Sequence, residues 1–207
     1  MSERHRKKQE TRAQILVAAR ATFGEVGYAA TTMRALAASS GVGLGTIHAH
    51  FGDKRGLLAA CLHDDIQRSV AKAWKDLDAS ASLESQLMHC ARCLFEGYAR
   101  HPELSKVMLA ETLFPADSSA SDALLEPFLA RIAELHLQNA KRSLRATTPE
   151  EAMTAARAFF AFYMTTLIGG LGGAFGSPRS RGARVRAWCE ALQPLVRQHL
   201  LALGARG

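Results

Sequence analysis

The sequence predicts an all-α protein of about nine helices, a three-helix N-terminal module followed by a larger helical domain. Three observations carry this expectation. Hydrophobic residues make up 48% of the 207 positions and charged ones 22%, a globular balance. Only six prolines interrupt the chain, which leaves long stretches free to be helical. Apolar residues recur at three- and four-residue steps instead of alternating as in strands.

Residues 1–10, MSERHRKKQE, hold Arg4, Arg6, Lys7 and Lys8 with no apolar face and read as a flexible basic arm. A helical period starts at Thr11, where Ile15, Ala19 and Phe23 fall on one face, and Gly27 stands where a helix end favours glycine. The first helix is therefore expected from about Thr11 to Val26. Thr32 is a candidate cap for a short helix turning Met33, Leu36 and Ala37 inward. Ser39, Ser40 and Gly41 end it, Val42 anchors the turn, and a second short helix runs through Ile47 to about His50. Two short helices about a glycine-containing turn make a helix-turn-helix pattern. Asp53 then caps a fourth helix, with Leu57, Leu58, Cys61 and Leu62 inward and an end near Leu77.

Further along, Leu83, Leu87, Leu94 and Tyr98 mark a helix ended by His101-Pro102, and Leu104, Val107 and Met108 mark a short one ended by Phe114-Pro115. Leu125, Phe128, Leu129, Ile132 and Leu135 mark a long helix. Thr148-Pro149-Glu150-Glu151 sets a cap, a proline at the first helical position and a glutamate at the third, which is a capping box. The helix it opens is apolar on two faces and so is expected between layers. The last helix carries Val185, Trp188, Leu192, Val196 and Leu203, with Pro194 expected to kink it.

The formal net charge of +7 is uneven. Residues 1–60 hold nine Lys/Arg against four Asp/Glu, and residues 61–207 hold seventeen against fifteen. A basic end of this kind suits a polyanion, because neutralising phosphates releases counterions. The basic start lacks both the apolar stretch of a signal peptide and the ~20 apolar residues of a membrane span, so a cytoplasmic protein with no membrane partner is expected. Four cysteines, Cys61, Cys90, Cys93 and Cys189, are scattered through a chain with ample core, and reduced thiols are the expectation.

Residues 11–62 resemble the N-terminal domain of the TetR/AcrR family. The similarity runs through an Ile-Leu-x-Ala-Ala helix, Gly-Tyr, paired threonines, Gly-Val in the turn, Gly-Thr-Ile and His-Phe-x-x-Lys. The resemblance implies a flexible arm at 1–10, a DNA-binding domain at 11–56 and a ligand-binding and dimerisation domain at 57–207. It also implies a transcriptional regulator, a repressor released from a palindromic operator by a small-molecule inducer. On this reading the second short helix enters the major groove, Thr32 donates to phosphate, and Gly43, Leu44, Gly45 and Thr46 lie along the groove. His48 stands where tyrosine is usual, His50 matches the family histidine, and Lys54 matches its phosphate-binding lysine. The groove-facing segment has no Arg, Gln or Asn, the side chains best suited to base edges, so DNA shape and the Arg/Lys arm are expected to carry more of the recognition.

Aromatic and sulfur-containing residues of the second domain suggest an apolar or aromatic inducer: Trp74, Tyr98, Met108, Phe114, Phe128, Phe159 and Phe162 are candidate lining. His89, Glu111, His136 and Thr166 are candidate polar contacts within it. Family resemblance places dimerisation on the last two long helices, where Gly169, Gly170 and Gly173 and the seam of Val185, Trp188, Leu192, Val196 and Leu203 are candidates for the interface. His89-Cys90-Ala91-Arg92-Cys93 offers soft ligands on one helix but no second pair completes a metal site, so no metal or cofactor is expected. The glycines at 169–173 lack the lysine and hydroxyl of a nucleotide loop, and no catalytic constellation stands out. A constitutive DNA-binding protein, or a protein-interaction module without a small ligand, is the alternative.

Overall fold

The computed structural model describes residues 2–113, 122–176 and 178–204. Among these, nine helices follow one another: α1 Glu3–Val26, α2 Met33–Ser40, α3 Leu44–Phe51, α4 Lys54–Lys75, α5 Leu83–Tyr98, α6 Pro102–Leu113, α7 Asp122–Arg142, α8 Pro149–Leu171 and α9 Arg181–Ala202. The only β feature among the described residues is one isolated bridge, Ala174 to Gly176. No described helix is long and apolar enough to cross a membrane.

The first helix begins at Glu3, eight residues before the expected start. The basic arm thus forms the first turns of α1. Ser2 caps it, Lys7 pairs with Glu3 at 3.3 Å and Arg6 with Glu10 at 3.0 Å, and the Thr11 hydroxyl donates to the Lys7 carbonyl. These exposed i,i+4 pairs each add only a few tenths of a kcal/mol, and no core contact supports the segment. Sequence periodicity therefore had nothing apolar to detect there.

Two apolar cores divide the chain. The first joins Ile15, Leu16, Ala19 and Phe23 of α1, Leu36 of α2, Ile47 of α3, and Leu57, Leu58, Cys61 and Leu62 of α4. A core of this size is marginal by itself, and Leu104 of α6, with Val107 and Met108 beside it, completes it. The second core lies among α5, α7, α8 and α9 and takes Ala73 from the far end of α4. Helix α4 therefore belongs to both cores, and α6 seals the first from the side of the second domain.

Close ring contacts run through the second core from Trp74 to Phe128, Phe160, Tyr163, Phe95 and Trp188, with successive centroids 4.9–6.4 Å apart. Such pairs add to the area term of burial, itself about 1.5–3 kcal/mol for a large apolar side chain. Gly170 is required where it stands: a Cβ there would lie 2.2 Å from the Trp188 Nε1. The structure corrects the expected dimer seam accordingly. Val185, Trp188, Leu192 and Val196 are buried inside the protomer against its own helices, Trp188 at 0% exposure. A stripe that looks like an interface in sequence serves here as the inner face of α9. Gly169, Gly173 and Leu203 remain half-buried, and α9 runs through Pro194 as one helix.

Candidate nucleic-acid interface

The turn between α2 and α3 is set by Gly41, whose φ of 67° lies in the left-handed region that favours glycine. Its N–H donates to the Ala38 carbonyl and that of Val42 to the Ala37 carbonyl, closing α2. Val42 packs on the first core, and Ile47, fully buried, fixes the roll of α3. The opposite face of α3 is consequently open: Gly45, Thr46, His48 and Ala49 are exposed, together with the cap residue Gly43.

Helix α1 buttresses this arrangement. The Gln14 amide donates to the Ser40 carbonyl at 2.7 Å, and the Arg12 guanidinium lies 5.6 Å from the centroid of the Phe51 ring at the end of α3. The paired threonines divide their work. Thr31 is buried and donates to the Gly27 carbonyl, whereas exposed Thr32 accepts from the Ala35 N–H at 3.1 Å as the cap of α2. Its hydroxyl proton remains available to an external acceptor, and the free N–H groups of a helix start favour an anion. Arg34, the second residue of α2, is exposed beside it. Sequence reading passed over Arg34 because a lone arginine carries no motif; its position in the first turn of the capped helix was the available signal.

Three candidate contacts are placed differently from expectation. The Lys54 ammonium donates to the carbonyls of Tyr28, Ala29 and Thr31 at 2.9, 3.4 and 2.9 Å and sits 4.5 Å from the Tyr28 ring centroid. All three of its donors are engaged, so Lys54 is a clamp on the α1–α2 connection instead of a free phosphate ligand. Leu44 is half-buried on the first core, and His50 is half-buried with its ring 5.8 Å from that of Phe51. His48, by contrast, is exposed and its Nδ1 pairs with the Gly52 carbonyl, which leaves Nε2 outward. Arg4 and Lys8 share one face of the α1 extension, four residues apart.

A buried acid fastens this module to the rest. Asp65 of α4 is 1% exposed and meets Arg20 of α1 at 4.0 Å, Arg100 after α5 at 3.5 Å, and Arg68 of its own helix. Arg20 also donates to the Cys61 carbonyl and pairs with Asp64 at 3.6 Å, which Arg12 approaches at 3.7 Å.

In the second domain the candidate ligand residues are mostly core. Phe128, Phe159, Thr166 and His136 are buried; Trp74, Tyr98 and Phe162 are partly so; and Met108 packs on the first core. His89 Nε2 lies 3.2 Å from the Ala73 carbonyl and 3.7 Å from Cys93 Sγ. The Glu111 side chain and Phe114 lie outside the described residues. Burial pushes the Cys90 thiol up to about 12 and raises that of Cys93, which disfavours the thiolates a metal would need. Among the described residues no three His, Cys, Asp or Glu side chains cluster for a metal. The Tyr163 hydroxyl is buried without a hydrogen-bond partner, and its pKa is raised by that burial.

The family model for bacterial regulatory proteins of the tetR family matches residues 15–61, the segment just described. Among curated proteins, the transcriptional repressor KstR of Mycobacterium tuberculosis is 32% identical over 114 residues, 55% of this chain and 52% of its own length. The repressor AcnR of Corynebacterium glutamicum is 31% identical over 116 residues, 53% of this chain and 57% of its own. The chain thus spans about half the length of these relatives. Solved folds extend the likeness to nearly the whole chain. A TetR-family regulator from Pectobacterium atrosepticum superposes with a TM-score of 0.70 at 21% identity, covering 96% of this chain and 97% of that one. FadR of Bacillus subtilis, solved with stearoyl-CoA, gives 0.65 at 18%, covering 89% and 97%. Residues 15–61 thus match the tetR-family helix-turn-helix, and the described residues share the helical fold of solved TetR-family regulators.

Proposed function

We propose that this protein is a ligand-responsive transcriptional repressor that binds palindromic double-stranded DNA as a homodimer. The observation that carries the reading is the open face of α3, Gly45, Thr46, His48 and Ala49, held beside the capped and cationic start of α2. A face this poor in long donors suits close backbone approach to the groove and readout of DNA shape. The curated relatives named above as repressors support the direction of control.

Dimerisation is supported by an outward face of α8 and α9 distinct from the buried seam. Ala161 and Thr165 of α8 are exposed, and Ile168, Phe175 and Leu201 are large apolar side chains left 42%, 37% and 72% exposed. Small residues beside exposed apolar ones permit close, isologous helix packing. For the inducer, the orphan Tyr163 hydroxyl supports an apolar or aromatic molecule with one polar group, which enters by displacing part of the aromatic core. Its coupling to DNA would pass through α4 and α6, the elements shared with the first core, and through Asp65.

The test is selection of DNA fragments by the purified protein, followed by a screen for compounds that release them. The expected result is a symmetric site occupied by two protomers and released by an apolar compound. Monomeric or sequence-independent binding, or failure of every apolar compound to alter affinity, would contradict the corresponding part of the reading.

A further inference from the structure

The end of α7, the connection that follows it, the first turns of α8 and Leu203 just beyond α9 line a half-open pocket of about 140 Å³. It lies wholly within the second domain, apart from the aromatic core that runs from Trp74 to Trp188. A cavity of roughly 150 Å³ admits benzene, so there is room for roughly six to nine non-hydrogen atoms.

Its wall contains a group with an unmet need. His136 is 5% exposed, and its Nε2 is buried with no hydrogen-bond partner. An unpaired buried polar atom is unfavourable, and a small turn of the ring would bring Nε2 to a polar atom seated in the pocket. Asn139, 8% exposed, opens onto the same space and adds a neutral donor and acceptor. Arg145 and Glu151 line it too, with opposite charges that are not paired to each other among the described residues. One Glu151 oxygen accepts from the Thr148 N–H at 2.8 Å in the capping box, which leaves the other available. Leu83 and Ala155 supply short apolar walls.

We propose that this cavity binds a small polar α-amino acid, its carboxylate on Arg145, its ammonium on Glu151 and its side chain on His136. A simple carboxylate would meet repulsion from Glu151, and a simple amine repulsion from Arg145; a zwitterion satisfies both charges.

The experiment titrates the full chain with serine, threonine and asparagine, followed by calorimetry and by the NMR signals of the His136 ring. Each amino acid is compared with its N-acetyl and carboxamide derivatives, which lack one charge. At least one amino acid should bind saturably and move the His136 signals, with each derivative weaker by about tenfold or more. Arg145→Gln and Glu151→Gln should weaken it similarly, and Gln at position 151 retains the capping-box geometry, so the fold survives. No saturable change at His136 with any of the three would overturn the proposal, as would derivatives or variants that bind as well as the parent pair. The outcome does not depend on DNA binding.

Discussion

His136 makes the stability of the second domain sensitive to acid. Burial, with a smaller push from neighbouring His199, lowers its pKa from the ordinary 6.5 to about 4. Above the unfolded value both states are neutral and the full stability is present. As pH falls below it the unfolded chain takes up a proton that the folded chain refuses, so stability declines until the folded pKa is reached. Down to about pH 5 this covers ~1.5 pH units at ~1.4 kcal/mol each, a loss of about 2 kcal/mol from one residue. The assay is urea unfolding at about pH 7.5 and about pH 5 for the parent and for His136→Gln, which cannot titrate in this range. His199 and His101 are also lowered by burial and contribute to both proteins, so the decisive quantity is the difference between the two losses. The parent should lose about 2 kcal/mol more than the variant. Equal losses would refute the assignment of a buried, neutral ring at 136.

Other perturbations address separate parts of the molecule. Removing residues 2–8 should reduce the slope of log affinity against log salt by about 0.9 for each phosphate that the α1 extension neutralises; equal slopes would show that the extension stays clear of DNA. Leu144 holds a φ of 52° while 96% exposed, so Leu144→Gly should raise unfolding stability by about 1 kcal/mol, and a decrease would contradict the strained, contact-free reading. Trp188→Glu buries an unpaired charge in the protomer core and should destabilise the monomer by several kcal/mol in chemical unfolding; stability equal to the parent's would place Trp188 outside that core. Ala161→Glu should leave the melting of the monomer nearly unchanged but abolish the dimer in light scattering; a dimer that persists would move the interface elsewhere.

Legibility in the sequence followed the strength of local signals. Thr148-Pro149-Glu150-Glu151 declared the start of α8, and the capping box forms with both hydrogen bonds present. Ile15, Phe23, Leu36 and Ile47 announced the inner faces of the first module because each lies on a helical period and has one core to enter. Tertiary assignment was harder. A stripe such as Val185, Trp188, Leu192 and Val196 has the same periodicity whether it meets a partner or its own protomer, and only packing against Gly170 and Phe95 distinguishes them. Lys54 shows the same ambiguity for charge, since a lysine that clamps three carbonyls and one that meets phosphate look alike in sequence. The polar cavity beside His136 was invisible because Asn139, Arg145 and Glu151 converge from two helix ends without any motif.

The central claim, that the outward face of α3 docks in a DNA groove, is tested most directly by the affinity of Ala49→Glu for a selected operator, measured by fluorescence anisotropy. Ala49 is exposed and outside both cores, so the variant should fold and melt as the parent does. A carboxylate on that face would oppose the phosphates at a cost of several kcal/mol, and affinity should fall by about a hundredfold or more. A folded variant that binds the operator as tightly as the parent would contradict the account.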